Sequence, residues 1–297
     1  MNITQRRYNL LVDYPKVYNF LAETYDLKTL NSFLIPPFFE NKHHHWIFDY
    51  IRAHRMGIWE HDGNIVAIVA YEFKPDSAHL HTKPEYSFLL PEMLEWAEKE
   101  LYSLKDGVKT LSVCITDKEI EKQQLLKNNG YTLGEFKPIH KFQYENNFKS
   151  PKLPDGFKII NGNEMDLYKL INCFWVAFGR DGEPPSDYVD GNIRMWSAPN
   201  FDKSLLSIAA HENGDYACAT AFWFDKKNKY AYLEPLATVP KYRKMGLASA
   251  VINDNIEKTR LSGAKYCLVF GASDAVSFYE KIGFEAICNK EVWSKLL

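Results

Sequence analysis

A chain of 297 residues, 46% hydrophobic and 15% aromatic, carries enough apolar side chains for one large domain or two ordinary ones, which excludes an intrinsically disordered chain. Its formal net charge of -2 argues against a general nucleic-acid binder, which would show a basic surplus. No apolar run reaches membrane-spanning length and MNITQRRYNL has no signal-peptide core, so neither a nucleic acid nor a membrane is an expected partner and the expected location is cytoplasmic. Cys114, Cys173, Cys218, Cys267 and Cys288 lack any C-x-x-C spacing and sit mostly among apolar neighbours, as free thiols in a reducing compartment do.

In chain order, IPPFFE (35–40) precedes the triplet His43-His44-His45. Three consecutive histidines point to different faces of a helix or strand, so a polar helix entry before Trp46 is expected rather than a metal site. IPPFFE with Trp46, Phe48 and Tyr50 reads equally as an interface lining or as core. GIWEHDGNIVAIVAYEF (57–73) reads as a β-hairpin turning at Asp62-Gly63. KPEYSFLLPEMLEWAEKEL (83–101), VKTLSVCI (108–115) and LLKNNGY (125–131) follow. In NNFKSPKLPDGF (146–157), Pro151, Pro154 and Gly156 mark a connector, which sets the expected domains at 1–150 and 151–297.

The second half reads as a short strand (157–160), a helix (164–178), a Gly/Pro-rich loop (179–187) and a second helix. A hairpin (204–225), a strand (229–238) and a helix opening at Gly246 come next. A strand (265–270), a helix (273–282) and a final strand pair (284–295) close it. This order repeats that of the first half: Gly63 stands against Gly214, Pro84 against Pro240 and Gly130 against Gly283. Mixed strands flanked by helices predict, twice over, an α/β (α+β) domain around a central sheet.

VPKYRKMGLASAVI (239–252) places a lone glycine where a helix gains nothing from one. A helix N-terminus offers unpaired N–H groups and a positive dipole end, and binds phosphate where no side chain blocks the approach. Gly246 opens the backbone, Ala248 keeps the next turn slim, and Arg243 adds charge at the loop mouth. Neither G-x-x-x-x-G-K-[ST] nor G-x-G-x-x-G is present. Taken alone, R-x-x-G-x-A is equally an ordinary helix start.

LEPLATVPKYRKMGLASAVI, then GAKYCLVF, then DAVSFYEKIGF resembles the coenzyme-A core of the GNAT superfamily of N-acetyltransferases. The resemblance covers about 204–295 well and the first half more faintly, so two tandem GNAT-like domains are expected, the second carrying the acetyl-CoA site. It implies that the backbone N–H groups of Arg243, Lys244, Met245, Gly246, Leu247 and Ala248 hold the pyrophosphate, and that Leu236, Ala237 and Thr238 pair with the pantetheine amides. Many relatives have asparagine at Ala272; Ser273 is the substitute here.

The resemblance also implies direct transfer of acetyl from acetyl-CoA to an amine, with no metal and no covalent enzyme intermediate. An alkyl amine with a pKa near 10 is free base in only about one molecule in a thousand at pH 7, so a base is required. Glu234, four residues before Thr238, is the candidate; a solvent-facing strand-end carboxylate is the other reading. Tyr279 stands at the family's general-acid position, and is otherwise a packed core tyrosine. A backbone N–H of 236–238 would donate to the oxyanion.

In the first half Ser87 stands at the place of Arg243, Leu90 of Gly246, Pro91 of Leu247 and Leu126 of Tyr279. Leucine would fill the phosphate position and Pro91 removes a donor. That half is therefore expected to keep the fold, bind no acetyl-CoA in the usual manner, and cover the sheet, shape the acceptor pocket or build a homodimer. The loop GRDGEPPSDYVD (179–190), with Asp181, Glu183, Asp187 and Asp190, is either an acidic rim drawing a cationic small-molecule or peptide amine, or a solvated loop. A non-catalytic acyl-CoA binding or sensing protein is the alternative function.

Overall fold

The computed structural model describes residues 2–148, 151–271 and 275–297, so Ser273 and Ala272 lie outside the described residues. Two compact units divide the chain. Unit 1 comprises Met1–His43, Ile47–Pro138 and Cys288–Leu297; unit 2 comprises His44–Trp46 and Ile139–Ile287. The strands that close the two halves of the sequence are thus exchanged between the units.

Unit 1 contains β1 (Ile3–Arg7), α1 (Leu10–Glu23), α2 (Pro36–His43), β2 (Gly57–His61), β3 (Asn64–Ala70), β4 (Ser77–Thr82), α3 (Leu90–Glu100), β5 (Ser103–Lys105), β6 (Val108–Thr116) and α4 (Ile120–Asn128). β7 (Thr132–Gln143) begins in unit 1 and ends in unit 2. Unit 2 continues with β8 (Phe157–Asn161), α5 (Leu167–Ala177), α6 (Ser186–Met195), β9 (Leu206–His211), β10 (Tyr216–Asp225), β11 (Tyr230–Thr238), α7 (Leu247–Leu261), β12 (Tyr266–Val269) and α8 (Val276–Lys281). β13 (Glu285–Leu296) ends the chain.

The strand order is β1-β2-β3-β4-β6-β13 in unit 1 and β7-β12-β11-β10-β9-β8 in unit 2. Each sheet is antiparallel except for one parallel pair, β4 with β6 and β11 with β12. Asp62 (φ 49) and Gly63 (φ 76) give the β2–β3 hairpin the two left-handed residues that a two-residue turn of type I′ requires.

Alternation along β10 builds the two faces of the unit 2 sheet. Phe222 enters a cluster with Leu233, Ile252, Ile256, Val269 and Tyr279, under α7 and α8. Trp223 turns the other way, its ring 4.7 Å from Phe201, which contacts Trp196, which stacks on Phe174 of α5. Burial of such aromatics contributes about 1.5–3 kcal/mol each.

Two expectations change. The segment expected as a final strand pair at 284–295 is one strand, β13, because EAICNKEVWSKL contains no glycine or proline to turn it and pairs with β6 of unit 1 from Lys290 to Leu296. The histidine triplet does not enter a helix: His43 ends α2, buried against Phe39 and Phe48. Among the described residues no helix is long and apolar enough to cross a membrane, and no group of His, Cys, Asp or Glu is arranged to hold a metal ion.

Candidate active site

β11 and β12 pair in parallel from Tyr230–Tyr266 to Leu233–Val269, and among the described residues no pair follows. On its other side β11 stays paired with β10, Leu236 with Thr220, Ala237 with Ala219 and Thr238 with Cys218, across a register shift that sets Glu234 and Pro235 opposite Ala221 alone. Proline cannot donate to a ladder, so it belongs at such a bulge, and bulges bend the strand that carries them. Trp223 Nε1 donates to Glu234 O (2.7 Å) and Thr220 Oγ1 to Pro235 O (2.9 Å), which satisfies both bulge carbonyls. The sheet therefore opens between β11 and β12 along Leu236, Ala237 and Thr238.

Below that opening the chain turns into α7. Pro240–Tyr242 form a single 3-10 turn, Lys244 adopts φ +63, and Gly246 caps the helix at φ +83, ψ 0. Only glycine adopts that conformation without strain. The first ladder bond of α7 runs from Ala250 N–H to Gly246 O (3.1 Å), so the N–H groups of Leu247, Ala248 and Ser249 have no intrahelical acceptor. They open on a cleft of about 1030 Å³, lined among others by Thr238, Arg243, Lys244, Met245, Phe278 and Lys281. Among the described residues, three cations and no carboxylate line it.

Arg243 lines the cleft and also braces the turn. Its guanidinium donates to Thr238 O (3.2 Å) and to Ala177 O at the end of α5 (3.0 Å), which staples the turn to strand and helix. Its own N–H is taken by Pro240 O (3.2 Å). The open donors therefore begin after Arg243, and Lys281, absent from the sequence reading, joins the cleft from α8. Its signal was its place two residues after Tyr279, facing the same way as Phe278 along the helix.

Glu234 and Tyr279 flank the opening from different sides of the sheet. Tyr279 is buried with Leu233 and Val269, its ring 5.6 Å from Phe284 and so close to Gly271 that a Cβ there would meet it at 2.7 Å. Glu234 is half-buried and accepts a hydrogen bond from Tyr232 OH (3.3 Å), which places it on the face away from Leu233.

Residues 202–286 match the family model described as an acetyltransferase (GNAT) domain. The chain carries a GNAT domain. That GNAT segment spans β9 to the start of β13 and contains the whole opening and the glycine turn. Solved structures resemble the full chain at low identity. One is a GCN5-related N-acetyltransferase from Sphaerobacter thermophilus (TM-score 0.62, 14% identity, 99% of this chain and 95% of that one). Another is a tandem GNAT protein from the clavulanic acid biosynthesis pathway (0.64, 12%, 99% and 98%). A third is a GNAT-family acetyltransferase from Colwellia psychrerythraea (0.59, 13%, 99% and 100%). No curated protein matches the chain.

Unit 1 shows what the same architecture becomes without the glycine. Pro84–Leu89 form a 3-10 run that passes directly into α3 at Leu90 (φ -53, ψ -39), whose N–H is capped by Ser87 O. β4 and β6 also part, after His79–Cys114. Here a left-handed run, Leu30 (φ 49), Asn31 (φ 53), Ser32 (φ 55) and Phe33 (φ 68), meets the parting strands. Ser32 Oγ lies 2.7 Å from both Leu80 O and a Glu119 oxygen, His79 Nδ1–H donates to Ser32 O (3.1 Å), and Thr116 Oγ1 donates to Thr29 O (3.3 Å). Lys122 Nζ donates to Leu80 O (2.7 Å), to Glu119 (2.6 Å) and to Ser32 Oγ. In unit 1 the chain itself thus supplies partners for the Leu80 carbonyl, on the strand edge that parts from β6.

Proposed function

We propose that the chain is an acetyl-CoA-dependent N-acetyltransferase with one working site, in unit 2, acting on the amine of a small molecule or peptide. The observation that carries this reading is the left-handed Gly246 opening α7 beneath the unpaired edge of β11. A diphosphate suits the N–H groups of Leu247, Ala248 and Ser249 and the charges of Lys244 and Lys281. The edge of Leu236, Ala237 and Thr238 suits an extended amide-bearing arm added as a further strand.

In the reaction, Glu234 takes the ammonium proton of the acceptor, directly or through water. The amine nitrogen attacks the thioester carbon, and a backbone N–H of 236–238 stabilises the oxyanion, a type of contact worth about 10²–10³ in rate. As the carbon–sulfur bond breaks, Tyr279 protonates the departing thiolate. Thiol and phenol have ordinary pKa values near 8.5 and 10, so the transfer needs little driving force. The buried thiols, Cys218 pushed up to about 12 by burial and Cys267 raised well above the ordinary range, are poor nucleophiles, which agrees with direct transfer.

The acidic loop supports a cationic acceptor only in part. Arg180, the one basic residue of the loop, is held against Trp46, Trp175 and Tyr188, its guanidinium carbon 5.0–5.6 Å from each ring centroid.

Turnover of acetyl-CoA against a panel of amines tests this, with Tyr279→Phe and Glu234→Gln compared. Expected is turnover for the natural chain and a loss of roughly 10²-fold or more in kcat for each variant. Binding of coenzyme A without turnover on any amine overturns the enzyme reading in favour of an acyl-CoA sensor.

A further inference from the structure

Unit 2 holds a histidine that this mechanism does not use. His140, on β7, stands opposite Val269 of β12, which stands opposite Leu233 of β11. Residues in register share a sheet face, so His140 belongs with Leu233, Val269 and Tyr279. It is fully buried, and neither ring nitrogen has a hydrogen-bond partner among the described residues. Its ring centroid is 6.2 Å from that of Tyr279, and its Nε2 is 3.9 Å from Glu280 Oε1, on a side chain 56% exposed. An unsatisfied buried polar group costs about 1–3 kcal/mol, so an apolar residue would serve packing better.

The duplicated unit contains that apolar residue. Trp293 stands opposite Val113 in β6 as His140 stands opposite Val269 in β12. Lys127 lies over the Trp293 ring (5.7 Å) where Glu280 approaches His140, and Leu126 replaces Tyr279. The unit with the glycine turn therefore has Tyr, Glu and His at three neighbouring positions where the unit without it has Leu, Lys and Trp. The fold does not require the polar set.

We propose that His140 is a positioning residue for Tyr279 that returns the proton Tyr279 loses at each turnover, with Glu280 as its link to solvent. This rests on the acetyltransferase reading. Once the Tyr279 O–H proton has passed to the thiolate sulfur, a tyrosinate remains. The neutral imidazole takes a proton from solvent on the Glu280 side, where the carboxylate stabilises the imidazolium, and gives a proton to the tyrosinate. Solvent supplies one proton per cycle; Tyr279 and Glu280 end as they began, and His140 ends as its other neutral tautomer, which a ring flip or exchange with solvent restores before the next cycle. Burial lowers the His140 pKa while Glu280 pulls it back up, so the imidazolium, once formed, is a ready donor. The first half of the sequence thus supplies a working part of the site through its exchanged strand.

The test compares kcat in His140→Phe, Tyr279→Phe and the double variant, on the best amine found for the natural chain, with coenzyme A affinity as the check on folding. His140→Phe is expected to lower kcat about 10-fold or more with affinity within about 2-fold, and the double variant to fall within about 2-fold of Tyr279→Phe. Added imidazole should restore part of the activity of His140→Gly. If His140→Phe does not bind coenzyme A, His140→Gln carries the same comparison. An equal loss in both backgrounds, or an unchanged kcat, overturns the proposal and leaves the acetyltransferase reading standing. A natural chain that binds coenzyme A but acetylates no amine overturns both.

Discussion

Leu233 and Val269 form the last pair between β11 and β12 among the described residues. Past them, among the described residues, β11 keeps only β10 as its partner, and the turn that ends at Gly246 follows. Bulge, opening and helix start are consecutive consequences of Pro235, Pro240 and Gly246.

Substitution at Gly246 should separate binding from folding. A side chain at φ +83 is strained by about 1–2 kcal/mol, and its Cβ would lie 2.7 Å from Pro151 Cγ. Gly246→Ala should lower the thermal midpoint modestly and Gly246→Leu should weaken coenzyme A binding by about 10-fold or more. Calorimetric titration beside thermal unfolding checks both; full affinity in a folded Gly246→Leu protein would contradict the cradle.

Arg243→Ala removes the staple between Thr238 O and Ala177 O and one of the cleft's cations. Affinity for coenzyme A should fall about 10-fold, a hydrogen bond to a charged group being worth roughly 1.5–3 kcal/mol. Part of that loss is electrostatic, so the gap between variant and natural protein should narrow as salt rises. Titrations at low and high ionic strength measure it.

Unit 1 should not regain a site by restoring glycine. Leu90→Gly, alone or with Ser87→Arg, leaves the Leu30–Phe33 turn and the Lys122–Glu119 pair in place. Equilibrium titration should give one coenzyme A per chain for the natural protein and for these variants. A second equivalent would show that the leucine alone closed the site.

His79 predicts a pH dependence of stability. Burial, aided by the nearby Lys290 ammonium, pushes its pKa from the usual 6.5 down to about 4. Between those values the unfolded chain holds more protons than the folded one, so stability falls as pH drops, by up to about 1.4 kcal/mol per pH unit from this group. Denaturant unfolding from pH 7 to pH 4 should show a shallower slope for His79→Gln than for the natural protein.

The order of elements was readable because each boundary carries local chemistry. Asp62-Gly63 marks a hairpin, Asp166 caps α5 by accepting from the Tyr168 and Lys169 N–H groups, and Gly246 opens α7. Pro235 also carried a local signal, since proline inside a strand marks a bulge or an edge. The exchange of closing strands had none: β7 and β13 read alike whichever unit they join, because an antiparallel partner imposes only alternation. His140 was hidden for the same reason, as its neighbours Tyr279 and Glu280 come from the other half of the sequence. The self-filled opening of unit 1 depends on four consecutive left-handed residues, Leu30 to Phe33, of which only Asn31 is a residue type that favours that conformation.

The most direct measurement is a crystal structure of the chain with coenzyme A. One molecule per chain is expected, its diphosphate on the N–H groups of Leu247, Ala248 and Ser249, its pantetheine along Leu236–Thr238, and its sulfur between Glu234 and Tyr279. A diphosphate bound anywhere else, or a second molecule in unit 1, would contradict it.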